Sequence, residues 1–482
     1  MGGELRDKVA SGVAWSIGEK VGSMLLQMGV SIVILRMLMP EDLGVMAIPT
    51  VLATLALVMV DSGFSQTLIR KADPSPSDYK SVFVFNVVAS LLLYALLVAA
   101  TPWVARFYGM PVLLHIAPVL FLLLPLNALC VIQNTIFTRQ FRFALISKVV
   151  FASSLVSGVV AIAMAWGGLG VWSLVGQRVT AMGVKALLFW WLSDWRPGAA
   201  YEGGALRAMA PYSLRLLATD LISTLYNNVS QLFVGKLYPT DVLGFFNQAQ
   251  KLKDLPVTST IQAVQNVTFP ALSKIADDEQ KFADSYRQVV MIVAFVMFPA
   301  MAGLIAIAPD MLQGLLGEKW TPIVPYFQVI CLAGMFAPIA IISYNVLKVK
   351  SNGRIIVRLE IVKKTVMTIT LALTIPYSVM AITWGLSAMA FFEMALNFAA
   401  TTRYSHLTLW RFVRTLLPSA LLTAVMFAVV VLFRHFTDFG PLPTFLMQVG
   451  IGAICYAVLA WVFRLEAMRI VLDILRKLFH KA

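Results

Sequence analysis

VFVFNVVASLLLYALLVAATPWV, residues 82–104, contains no charged side chain and is long enough as a helix to cross the hydrocarbon of a bilayer, which takes roughly 20 residues. Its apolar residues follow one another without the alternation of a barrel strand. A helix is therefore the form in which its peptide groups satisfy each other inside lipid. The same criterion, applied outward from this stretch, places further spans at 10–35, 44–62, 112–136, 144–166, 169–192, 208–235, 242–270, 286–308, 321–345, 355–376, 379–402, 413–433 and 443–463. Over all 482 residues, 59% are hydrophobic, 13% are charged and mean hydropathy is +0.82, which a soluble domain with a polar surface does not reach. The expected fold is all-α: a polytopic membrane protein of about fourteen transmembrane helices joined by short turns.

Cys130, Cys331 and Cys455 fall singly inside apolar segments, so they read as small core residues and not as a disulfide frame or a metal site. Residues 1–8 carry mixed charge, and no small-residue cleavage site follows the first apolar stretch. The first helix is expected to stay in the protein. The net charge of +14 would also suit a nucleic-acid binder, and the placement of the cations decides between the readings. With the N-terminus inside, the outer turns hold only Arg36, Arg106, Lys236, Lys319 and Arg434, while the inner loops and tails hold most of the rest. By the positive-inside rule both termini are expected in the cytoplasm. Residues 465–481 are too charged to span. Leu465, Met468, Leu472, Leu475 and Phe479 recur opposite Arg469, Asp473, Arg476 and His480, as in an amphipathic helix on an anionic leaflet; a frayed tail is the alternative.

An internal repeat is visible at a shift of about 200 residues. RMLMPEDLGVMA at 36–47 echoes KLYPTDVLGFFNQ at 236–248, and TRQFRF at 138–143 echoes LKVKSNGRI at 347–355 more weakly. Six helices per copy is an even number, so the copies are expected to be parallel. The predicted organisation is an N-lobe over 1–199, a C-lobe over 200–405 around a central cavity, and a terminal helix pair with the tail helix over 406–482.

Polar residues inside the spans recur on single faces. Lys20, Ser23, Gln27 and Ser31 lie at spacings of three and four, and Asp220, Ser223, Asn227 and Gln231 repeat the spacing one copy later. Asn247, Lys251, Asp254, Thr258, Gln262 and Gln265 form a third stripe. Lipid rejects such faces, so they are expected to line water, with Lys20 and Asp220 paired across the lobes. Arg178, Lys185 and Arg215 add cations without nearby acids, and Asp61 and Glu393 are further intramembrane acids. The bland alternative makes Glu19 with Lys20 an interfacial pair, and Glu360 with Lys363 and Lys364 a surface ion-pair set at the headgroups. The candidate ligand-contacting residues are thus Lys20, Ser23, Gln27, Arg178, Arg215, Asp220, Ser223, Asn227, Lys251 and Asp254. HExxH, Walker A and GxGxxG contexts are missing, and no catalytic residue, cofactor or metal ligand is expected.

The block from GVAWSIGEK to TLIRK at 12–71, with SYRQVVMIVAF onward at 285–336, resembles the polysaccharide-transporter branch of the multidrug, oligosaccharidyl-lipid and polysaccharide exporter superfamily. Its most telling signatures are MPEDLG, DSGFSQTLI and LGEKW. The resemblance implies alternating access around a two-lobed cavity, with a prenyl-pyrophosphate-linked oligosaccharide flipped from the inner to the outer leaflet and passed to polymerase machinery. Rivals are a multidrug cation antiporter of the same superfamily, which would favour an acidic cavity, and a membrane glycan enzyme, which would need a large outer loop. A non-transporting scaffold of a glycan assembly complex is a third.

Overall fold

The computed structural model describes residues 22, 26–61, 63–198, 200–351, 353–405, 407–436 and 439–479. Contacts group the chain into two compact units, Met1–Gly244 and Phe245–Ala482. In the first lie α1 (Leu26–Met37), α2 (Pro40–Asp61), α3 (Phe64–Arg70), α4 (Pro76–Tyr108), α5 (Leu113–Phe121), α6 (Leu123–Arg139), α7 (Phe143–Trp166), α8 (Val171–Leu192) and α9 (Gly203–Leu237). The first turn of α10 (Thr240–Lys274) also belongs there. The second unit holds the rest of α10, then α11 (Glu279–Leu316), α12 (Ile323–Lys350), α13 (Arg354–Thr374), α14 (Val379–Ser405), α15 (Leu409–His435), α16 (Pro441–Val462) and α17 (Glu466–Phe479).

Nine helical runs among the described residues are long and apolar enough to cross a membrane. Helices α8, α9, α10 and α13 also occupy expected spans but fall short of that measure, because they carry the intramembrane polar residues. Lipid is the solvent of the outer faces: in α4 only 17% of the most apolar stretch is buried. Trp103, Trp166, Trp191, Trp410 and Trp461 stand exposed near helix ends, where amphipathic rings suit the headgroup boundary.

Unit 1 packs around α2. Its small face, Ala53, Ala56 and Val60, lets Ala117, Phe121 and Leu124 of α5 and α6 approach, while Met46 joins Leu113 and Ile116 of α5 to Val171 and Val175 of α8. The expected span at 112–136 is broken at Leu122 into α5 and α6. Pro125 has no N–H to return to the carbonyl of Phe121, so the ladder cannot run through. In unit 2 the buried Tyr286 of α11 ties three helices, its hydroxyl lying 2.8 Å from Ser343 Oγ of α12 and 3.4 Å from Thr401 Oγ1 of α14. Asn397 Nδ2 and Ser387 Oγ of α14 donate to the α12 carbonyls of Ala340 and Val329 at 3.1 and 2.7 Å. The terminal pair α15–α16 packs on α11, where Tyr456 donates to the Phe295 carbonyl at 3.0 Å. Cys130 and Cys331 are buried, and none of the three cysteines is in a disulfide.

In the weaker echo each segment sets a cation against backbone carbonyls. Arg139 at the end of α6 donates to the carbonyls of Leu68, Ile69, Lys71 and Ala72, closing the C-terminus of α3. At the end of α12, Lys350 Nζ donates to the Ala276 carbonyl just beyond α10. The paired turns MPEDLG and YPTDVLG meet within unit 1, where the starts of α2 and α10 cross reciprocally. A Cβ on Gly44 would collide with the Thr240 carbonyl, and a Cβ on Gly244 with the Pro40 carbonyl. Backbone cannot swing aside as a side chain can. Gly44→Ala and Gly244→Ala should each lower stability by about 1–3 kcal/mol, read as the melting temperature of the purified protein in detergent. Gly450→Ala, whose Cβ meets nothing within 4 Å, should leave it unchanged.

Candidate functional site

The polar stripe of α9 is built by a helix with two differently used polar lines. Ser213 and Ser230 point into unit 1, and Ser213 Oγ lies 2.8 Å from Thr67 Oγ1 of α3. Arg215, Asp220, Ser223 and Asn227 are all exposed. Interleaved with them, Leu214, Ile222 and Leu225 are exposed as well, so the middle of α9 is left uncovered around much of its circumference. In α10, Lys251, Thr258, Gln262 and Gln265 are exposed, and Asp254 is half-exposed with Lys253 Nζ 2.6 Å from its carboxylate. Asn247 at the head of that stripe is buried.

Of the other sequence-predicted residues, Gln27 is exposed on α1 and donates to Ser154 Oγ of α7 at 3.3 Å. Arg178 on α8 is partly buried, and neither it nor Arg215 forms an ion pair among the described residues. Lys185 sits over the Phe189 ring, 5.4 Å from its centroid. Lys20 and Ser23 lie outside the described residues, and with them the expected pairing of Lys20 with Asp220. Gln27, Arg178, Arg215, Asp220, Ser223 and Asn227 lie in unit 1, on α1, α8 and α9, and Lys251 and Asp254 lie in unit 2.

The DSGFSQT signature makes a second polar locus. Gly63, at φ +70°, turns the chain between α2 and α3, and α9 comes so close that a Cβ there would stand 2.9 Å from the Ser213 carbonyl oxygen. Asp61, on one side of this kink, accepts a hydrogen bond from Ser65 Oγ on the other. The clue was in the sequence: an acid and two hydroxyls flank a glycine at helical spacing.

Two charge clusters in unit 2 link helices whose pairing the sequence does not show. Lys363 of α13 is 5% exposed, with Nζ 2.8 Å from Glu360 and 3.2 Å from Glu393 of α14, and it lies over the Tyr344 ring of α12 at 4.9 Å. The set expected at the headgroup surface is thus half right: Glu360–Lys363 is a pair one turn apart, but its lysine is buried and ties three helices. Asp310 of α11, 7% exposed, receives Arg434 Nε of α15 at 2.9 Å and Gln448 Nε2 of α16 at 3.1 Å. Periodicity marks a polar face but does not name its partner on a distant helix.

Long helices with uncovered polar stripes, immersed in lipid-facing apolar surface, define a multi-pass membrane protein that presents polar groups within the bilayer. Residues 33–325 match the family described as polysaccharide biosynthesis protein, and the chain belongs to that family. It is similar to the teichuronic acid biosynthesis protein TuaB of Bacillus subtilis (strain 168), 24% identical over 286 residues, which are 58% of each protein. It is 22% identical over 332 residues to the succinoglycan biosynthesis transport protein ExoT of Rhizobium meliloti (strain 1021), covering 68% of this chain and 67% of that one. Among solved structures, the lipid II flippase MurJ in its inward closed conformation has a similar fold, with a TM-score of 0.71 and 17% identity over 94% of this chain and 98% of that one.

Removing a charge from a buried cluster strands its partners. With Glu360 and Glu393 each about 40% exposed, Lys363→Met should lower stability by about 1–3 kcal/mol, and adding Glu393→Gln should recover part of that loss. Thermal melting of the two variants side by side is the check. A double variant that melts below the single one would mean that Glu393 does not depend on Lys363.

Proposed function

We propose that this protein carries a lipid-linked oligosaccharide, the repeat unit of a surface polysaccharide, across the membrane by alternating access. The observation that carries the reading is the α9 stripe: Arg215, Asp220, Ser223 and Asn227 are uncovered within a segment of a membrane protein, where lipid would reject them. Membership of the polysaccharide biosynthesis family supplies the cargo class, and the names of ExoT, a transport protein, and MurJ, a flippase, support movement of the cargo over its synthesis.

In this reading the fourteen-helix chain works as repeat-related lobes over 1–199 and 200–405, with residues 406–482 as an appended pair and tail. Both termini face the cytoplasm of a bacterial inner membrane, and the glycan leaves the inner leaflet for the outer, where polymerase machinery takes it. Lys20, Ser23, Gln27, Arg178, Arg215, Asp220, Ser223, Asn227, Lys251 and Asp254 contact the cargo. Arg178 and Arg215 hold its pyrophosphate or acidic sugars, because a planar guanidinium grips such oxyanions two at a time. Hydroxyls and amides of the stripes take the sugar hydroxyls.

Replacing Arg178 or Arg215 by Gln should remove a charge-assisted hydrogen bond of about 1.5–3 kcal/mol, which is roughly a ten- to hundredfold loss of affinity. Arg→Lys should fall between, keeping the charge and losing the two-pronged geometry. The measurement is leaflet sidedness of a labelled lipid-linked oligosaccharide in reconstituted vesicles, with export by cells at matched protein abundance. Wild-type export by the Arg178→Gln, Arg215→Gln double variant would remove these cations from the cargo path, and a labelled lipid that never changes leaflet would remove the transport reading itself.

A further inference from the structure

Within unit 2 a cavity of about 1110 Å³ opens between α11, α15 and the turn from α16 into α17. Its two ends differ in chemistry. One wall is a stripe of α15, Leu417, Leu421 and Val425, at helical spacing and about half exposed, with Leu459 of α16 and Phe463 just after it also lining the cavity. Because α11, α15 and α16 are all long and apolar enough to cross a membrane, this wall is built from segments suited to hydrocarbon.

The other end is a charged rim at the helix termini. Arg411 and Arg414 come from the first turns of α15, and Arg464 from the turn after α16. Arg287 of α11 is already neutralised by Glu466, through contacts of 2.9 and 3.3 Å. The remaining acids of the rim, Glu279 and Asp284, also have partners, Asp284 accepting from Gln280 Nε2 at 3.2 Å. Arg411, Arg414 and Arg464 are exposed, and their guanidinium groups have no hydrogen-bond or ion-pair partner among the described residues. Arg464 stands at φ +49°, in the left-handed region, where the Leu465 N–H returns to the Ala460 carbonyl at 3.0 Å. Glycine usually takes this place in a helix-ending motif. An arginine held there gives up backbone ease to place its charge.

We infer that this cavity is a binding site for an anionic glycerophospholipid, with the phosphodiester on Arg411, Arg414 and Arg464 and the acyl chains along the α15 stripe. Three guanidiniums at headgroup height match one phosphate, and basic pockets between membrane helices suit anionic lipid heads. The volume exceeds that of a pocket for a drug-sized ligand, and most of its wall is of no use to a free anion. The site shares no residue with the stripes of α9 and α10 and does not depend on what they carry.

The test is native mass spectrometry of the full-length protein in non-ionic detergent, titrated separately with phosphatidylglycerol, phosphatidylethanolamine and a polyprenyl phosphate. The expected result is retention of one phosphatidylglycerol in preference to the other two and undisturbed by excess inorganic phosphate. Arg411→Gln with Arg414→Gln should weaken retention more than tenfold, and Arg464→Gly about tenfold, one charge-assisted contact each. Arg464→Gly suits the left-handed turn better than arginine does, so its lipid-free melting temperature should not fall, and its loss of lipid cannot come from a broken turn. Equal retention of phosphatidylethanolamine, preference for polyprenyl phosphate, displacement by inorganic phosphate, or retention unchanged in the arginine variants would each overturn the assignment.

Discussion

A peptide group in hydrocarbon has no water to turn to, and this single constraint shapes the chain from its helices to its charges. It makes the spans helical, and it requires every interruption to be mended nearby. Where α3 ends, four carbonyls in and just beyond its last turn are taken up by the guanidinium of Arg139. Where α10 ends, Lys350 serves the Ala276 carbonyl. Charged side chains obey the same rule with higher stakes. Lys363 and Asp310 are buried, and each is met by partners from other helices.

Against that background the uncovered residues of α9 are informative. One helix carries Ser213 and Ser230 buried in its own unit, and Arg215, Asp220, Ser223 and Asn227 left open. The first pair makes the helix part of a folded body. Among the described residues the second set finds no side-chain partner, which is the condition of a surface kept for water or for a polar ligand.

The nine most apolar spans, the all-α class and the echo between MPEDLG and YPTDVLG were legible in the sequence because each depends on local pattern alone: runs of apolar residues, and short turns with a proline and a glycine. The echo had a structural meaning that the letters did not reveal, since the two turns touch through Gly44 and Gly244. The break at Leu122 was missed because apolar character runs unbroken from α5 into α6; only the missing N–H of Pro125 betrays it. Glu393 was visible as an acid in a span, but its partner Lys363 lies a helix away, at a distance that no periodicity encodes. The tail illustrates a middle case. Its helical face was legible, yet Leu465 and Met468 pack on the core formed by Leu422, Met426 and Tyr456, so the start of that face is covered by protein and not by lipid.

The cysteines bear on how such a molecule can be interrogated. Cys130 and Cys331 are 2% and 0% exposed, closed off among helices of their own units, so an aqueous thiol reagent has no route to their sulfurs while the fold holds. Cys455, partly open beside the α11–α16 contact, is the natural thiol that needs replacing. A variant changed at that one place offers a nearly silent chemical background. On it, a cysteine placed anywhere along α9 would report by its labelling rate which positions meet water during the working cycle.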